Sequence, residues 1–112
     1  MKIVEKVWGS EEWIVNRNYC GKILNLKKDY HCSTHKHKIK DETFYLLKGK
    51  VLFELRGKKK ILLPGDIVHV PTNSYHRFTG ITNSKIIEFS TRHYESDSYR
   101  KDSSGKVTKK KN

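Results

Sequence analysis

Short apolar runs alternate with polar and turn residues along nearly the whole chain. Tyr19–Leu26, Thr43–Leu47, Lys50–Leu55, Ile61–Leu63, Ile67–Val70 and Lys85–Phe89 are rich in Val, Ile, Leu, Phe and Tyr and are separated by Gly, Pro, Asn and Asp. Runs this short carry no 3.6-residue period, so the pattern predicts strands throughout and an all-β chain. Gly49, Gly57 and the Pro64–Gly65 pair fall between successive runs, where hairpin turns would lie. Many short strands in one small domain point to a sandwich or a barrel. Ser10–Trp13, with its acidic pair, is the only stretch that reads as helical.

The 112 residues are enough for one modest core, and 35% hydrophobic residues are enough to build it. No apolar run approaches the roughly 18 residues of a membrane helix. The opening segment lacks the apolar stretch of a secretory signal. Cys20 and Cys32, the two cysteines, form neither a disulfide framework nor a paired zinc motif. These features predict a cytoplasmic chain with reduced thiols and no membrane partner.

The formal charge is +12, and six basic residues against one acidic residue fall in 100–112. The division expected is a barrel with its N-terminal segment over 1–99, followed by a basic, flexible tail over 100–112. Stacking aromatics do not accompany the lysines, so nucleic acid is not the expected partner.

Chemistry concentrates in HCSTHKHKIKDETFYLLKG. Residues two apart on a strand share a face, so His35 and His37 present two imidazoles side by side. Glu42 can join them from the start of the next segment, and His76 is the fourth candidate ligand.

His35, His37, Glu42 and Gly49, followed by Gly65, Pro71 and His76, resemble in type and spacing the two sequence motifs of the cupin family. Three positions depart from them: Asp29 and Asn73 stand where the family has glycine, and Gly80 where it has asparagine. Asp and Asn tolerate left-handed backbone better than other non-glycine residues, so the first two changes are compatible with the same turns. The resemblance implies a jelly-roll barrel of two antiparallel sheets. It also implies one divalent ion held by His35, His37, Glu42 and His76. Three imidazoles and a carboxylate suit Zn, Mn, Fe, Ni or Cu.

A finer likeness runs through VWGSEEW, Lys22, STHKHKIKDETFY, the His76–Arg77 pair and KIIEFSTRHYESDSYR. It is similar to the cupin domain of type II mannose-6-phosphate isomerases and to small stand-alone sugar-isomerase cupins. His35 replaces that family's glutamine, Lys40 its arginine and Thr43–Phe44 its His-Trp pair. The function implied is metal-dependent aldose-ketose isomerisation of a sugar or sugar phosphate through an enediol. A non-enzymatic cupin that binds a sugar or nucleotide sugar, or a metal-dependent dioxygenase, is the alternative.

An isomerase needs a base facing the barrel mouth. Glu42, Glu88 and Glu54 are the candidates, since Glu88 shares a strand face with Ile86 and Glu54 with Leu52. Lys22, Tyr45, Arg77 and His69 are the candidate substrate contacts. His31 and His93 read as structural or surface residues, and Trp8 and Trp13 as packing the N-terminal segment onto the barrel or onto a second subunit. A homodimer is the expected assembly.

Overall fold

The computed structural model describes residues 1–108. Its chain order is β1 (Lys2–Lys6), β2 (Gly9–Asn16), β3 (Tyr19–Leu26), β4 (Tyr30–His31), β5 (His35–Lys36), β6 (Glu42–Lys48) and β7 (Val51–Leu55). There follow β8 (Lys58–Leu62), β9 (Ile67–Val70), β10 (His76–Gly80), β11 (Ser84–Thr91), β12 (Tyr99–Arg100) and β13 (Gly105–Lys106). One sheet runs β1-β2-β3-β11-β6-β9 and the other β12-β5-β10-β4-β13, with β7 also on β10 and β8 on β7. Every pairing is antiparallel. This is the all-β, two-sheet jelly-roll architecture expected. No described helix is long and apolar enough to cross a membrane.

Two expectations change. Ser10–Trp13 is strand, part of β2, and pairs with β1 and β3. Its Glu11–Glu12 pair suits a helix, but a strand with one face to solvent carries charge equally well. The expected tail is also partly built into the barrel. Arg100 pairs with His35 and Gly105 with His31, and Lys106 lies opposite Tyr30. Lys109, Lys110, Lys111 and Asn112 lie outside the described residues.

The core sits between the sheets, and strand alternation decides what enters it. On β3 the inward residues are Cys20, Lys22, Leu24 and Leu26; on β6, Glu42, Phe44 and Leu46; on β11, Ser84, Ile86 and Glu88. Register aligns Leu24 with Ile86 and Leu46 across neighbouring strands, then Lys22 with Glu88 and Phe44, then Cys20 with Ser90 and Glu42. The inner surface therefore changes from apolar to charged along the barrel. Trp8 closes the apolar end, its ring edge-on to Phe78 at 5.2 Å between centroids. It packs in its own barrel.

Both non-glycine substitutions in the turns adopt the expected left-handed backbone, with φ of 65° at Asp29 and 59° at Asn73. Gly80 has a different reason for its small size. A Cβ there would meet the Lys27 carbonyl oxygen at 2.4 Å.

Candidate metal centre

The polar end of the barrel gathers the histidines. β5 pairs with β10 so that His35 lies directly opposite His76. His37 follows two residues on, its ring centroid 5.1 Å from His35 and 5.7 Å from His76. One ligand atom from each of the three histidines falls within 4.8 Å of the others. Glu42 reaches them from the first residue of β6, in the other sheet. Its Oε1 is 2.9 Å from His37 Nε2 and 3.7 Å from His76 Nε2.

Each imidazole is held by its other nitrogen. Nδ1 of His35, His37 and His76 is hydrogen-bonded to the carbonyl oxygen of Ser33 (2.7 Å), Asp97 (2.9 Å) and Ser74 (2.9 Å), respectively. A proton on Nδ1 leaves the lone pair on Nε2, which is the tautomer a metal ligand needs. Burial, together with the neighbouring His76, pushes His35 down to about 3, and burial likewise pushes His76 down to about 4. Both rings are neutral at neutral pH. His76 Nε2 and Glu42 Oε1 are sealed from water and have no hydrogen-bond partner. Buried acceptors left unpaired are costly. Lone pairs converging on one point are satisfied together by a cation, so these residues fit a divalent ion.

The loop from β5 to β6 is shaped from a distance. The buried Asp97 carboxylate accepts backbone N–H groups from Lys38, Ile39 and Lys40 at 2.9–3.2 Å. Burial alone would raise this carboxyl, but those three donors hold it below the usual range. Its backbone oxygen is the partner of His37, so one residue sets both the loop and the ring.

A cavity of about 380 Å³ opens from the histidines and is lined by Trp13, Lys22, Lys40, Glu88 and His93, among others. Lys40 is its organiser: its ammonium lies 3.2 Å from Glu88 Oε2, 3.9 Å from Glu42 Oε2 and 3.1 Å from His93 Nδ1. Burial opposes charge on Lys40, but Glu88 and Glu42 outweigh it and raise the ammonium's pKa. Burial would also raise Glu88, yet Lys40 and Lys22 hold it at about 2. Burial and the same two cations push His93 down to about 4.

Of the residues singled out in the sequence, His35, His37, Glu42, Glu88 and Lys22 line this cavity, and His76 joins the cluster behind it through His35, His37 and Glu42. Four do not. Val51 and Phe53 are the inward residues of β7, which sends Glu54 to the outer face opposite Arg77. Tyr45 alternates with the buried Phe44 and Leu46 and faces out. Arg77 is flanked by the inward His76 and Phe78; it packs on the His31 ring and donates from Nε to the Cys32 carbonyl at 3.1 Å. His31 therefore has a partner. His69 is 57% exposed, with Nε2 2.6 Å from Asp41 Oδ1.

Lys40, Asp97 and His93 belong to the site although none of them was among the candidate site residues. Lys40 lies in a lysine-rich loop with no strand alternation to show which way it points. Asp97 and His93 come from a segment whose return to the histidines is purely tertiary.

Residues 23–89 match the family model of the cupin domain, and the chain belongs to that family. Over 44 residues it is 41% identical to quercetin 2,3-dioxygenase of Bacillus subtilis (strain 168), covering 39% of this chain and 13% of that relative's length. Streptomyces PAC13, solved with uridine, is similar in fold at a TM-score of 0.78 and 14% identity, covering 96% of this chain and 86% of that one. KdgF from Halomonas sp. has a TM-score of 0.73 and 19% identity, covering 78% and 81%.

Proposed function

We propose that this protein is a metal-dependent cupin that holds a small polyhydroxylated, sugar-class ligand at an ion bound by His35, His37, His76 and Glu42. The observation that carries this reading is the convergence of three Nδ1-anchored imidazoles on an unpaired Glu42 oxygen, at the head of a charged cavity. When bound, the ion supplies Lewis acidity to ligand oxygens.

The chain's own residues favour binding over isomerisation. A base working at neutral pH is most effective with a pKa near neutrality. Glu88 at about 2 and His93 at about 4 are far below that. Glu54 is outside the cavity, and Glu42 is committed to the ligand set. Glu88 and His93 instead serve as hydrogen-bond acceptors for hydroxyls, with Lys40 and Lys22 as donors. At about 380 Å³ the cavity lies toward the small end of ligand pockets, roughly 300–1,000 Å³.

A second reading, metal-dependent dioxygenase, is favoured by the identity with the quercetin enzyme. That likeness covers a small part of the relative. The charged wall of the cavity suits a polyol better than a flat apolar substrate.

One sample separates the readings. Manganese-loaded protein in heavy water with a panel of aldoses should broaden the proton resonances of a bound sugar without placing deuterium on its carbons. Deuterium at carbon 1 or 2, absent with His37→Ala, would establish the isomerase. Oxygen consumption with a flavonol and no broadening of any sugar would establish the dioxygenase.

A further inference from the structure

Lys22 and Lys40 are the two lysines buried in the cavity wall, at 1% and 3% exposure. Their surroundings differ. The Lys40 ammonium is within hydrogen-bond distance of Glu88 and His93. The Lys22 ammonium has no hydrogen bond among the described residues. Its nearest carboxylate oxygen, Glu11 Oε1, is 3.6 Å away and already accepts the Trp13 indole N–H at 2.9 Å. Its other neighbour is the face of the Trp13 ring, 4.0 Å from Nζ to centroid. The Lys22 stem is buried, but Nζ is not among the sealed, unpartnered atoms: it opens onto the cavity, where its donors are available to an acceptor that enters.

The charge of the whole cavity points the same way. Lys2, Lys6, Lys22, Lys40 and Arg100 line it against Glu11, Glu42, Glu88 and Glu95. The side chains are thus close to balanced before a divalent ion is added, and clearly positive afterwards. Lys22 faces Glu88 across β3 and β11, and Glu88 faces Phe44, two residues from Glu42 on β6. Strands lie about 4.8 Å apart and residues about 3.3 Å apart along a strand, so Lys22 is about 12 Å of sheet away from Glu42. One small ligand can touch both.

Resting on the sugar-class reading above, we infer that the ligand is acidic: a sugar acid or sugar phosphate whose anionic group sits on Lys22, beside Trp13, while its hydroxyls face the ion. Lys22 is then the residue that reads charge. It selects the ligand and does not hold the metal.

The test is calorimetric titration of metal-loaded protein with glucose, glucuronate and glucose 6-phosphate, repeated for Lys22→Met and Lys22→Arg. The acidic sugars should bind about tenfold or more tighter than glucose, the scale of one charged hydrogen bond. Whichever of the two is favoured identifies the anionic group as carboxylate or phosphate. Lys22→Met should lose the preference and keep its affinity for the metal alone, and Lys22→Arg should retain it. Equal binding of glucose and both acidic sugars, or a preference that survives in a folded Lys22→Met protein, would overturn this inference and leave the sugar reading standing. No binding of any sugar would overturn the sugar reading and this inference with it. If Lys22→Met does not fold, the wild-type preference must fall as salt is raised while binding of glucose does not change. A salt-independent preference would overturn the role of charge.

Discussion

The two ends of this barrel are made by the same strands and treat buried polarity in opposite ways. Leu24, Ile86 and Leu46 form one rank across β3, β11 and β6, packed with Trp8, Phe53 and Leu62. Four residues along the same strands the rank is Cys20, Ser90 and Glu42, and Glu42 meets the three-histidine cluster. Among the described residues no buried side-chain N or O atom at the apolar end lacks a partner. At the other, Glu42 Oε1 and His76 Nε2 are the buried side-chain atoms without a partner among the described residues. Between them, Lys22 and Glu88 belong to the charged cavity while Phe44 belongs to the core. The difference separates what the fold needs from what it carries: one end supplies stability, and the other spends some of it on lone pairs that only a cation completes.

The largest effects should divide the two ends cleanly. His76→Ala should weaken zinc binding about 100-fold by calorimetry, since it removes one of the four proposed ligands, with little change in the denaturation midpoint of the metal-free protein. Leu46→Ala should do the reverse, losing about 2–5 kcal/mol of unfolding free energy with zinc affinity kept within a few-fold. If both variants lose both properties, the ends are not separable.

The Lys40–Glu88 pair joins the two ends, and its members are not equivalent to a surface ion pair. Lys40→Met should cost about 3–5 kcal/mol in urea denaturation, because Glu88 is left buried and charged. The double variant Lys40→Met with Glu88→Gln should recover most of that loss. Additive losses would show that each residue acts through other contacts.

Acid should act first on the histidine end. In the metal-free protein His35 and His76 are held at about 3 and 4, against 6.5 when unfolded. Below 6.5 the unfolded chain therefore takes up protons that the folded chain refuses, and stability falls with pH through that interval. The urea midpoint should be flat above about pH 7 and decline from there toward pH 4. A midpoint that is constant over that range would mean that the rings are not buried as described.

A smaller effect is expected at Asp97. Asp97→Asn keeps the shape and weakens the three N–H contacts to the loop before Glu42, so about 1–3 kcal/mol of stability should be lost. Metal affinity should fall about tenfold, as for other residues that orient ligands. Unchanged metal affinity in a destabilised protein would make Asp97 a loop brace alone.

Much of this was legible in the chain because chemistry and periodicity coincide there. His35 and His37 are two apart, and the strand period alone puts them on one face. Lys22 and Glu88 sit at the parity of Leu24 and Ile86, so apolar neighbours reveal their direction. The same reasoning failed at Glu54, whose partner on its face, Leu52, is itself on the outside; alternation gives two faces without saying which is inner. Tyr45 and Arg77 fall one residue from a site residue, and a one-residue step on a strand reverses the face. Lys40, His93 and Asp97 were out of reach because their roles depend on the return of residues 93–106 to the β4 and β5 strands, a long-range contact with no local signature. The N-terminal strands were hidden by their charge, since the solvent-facing side of an outer strand resembles a polar helix.

Metal coordination is where the account stands or falls. An anomalous difference map from crystals of zinc-loaded protein should show one ion per chain, about 2.0–2.1 Å from Nε2 of His35, His37 and His76 and at a similar distance from a Glu42 oxygen. A zinc-free histidine cluster at saturating zinc, or an ion held by Nδ1 atoms or by other residues, would contradict it.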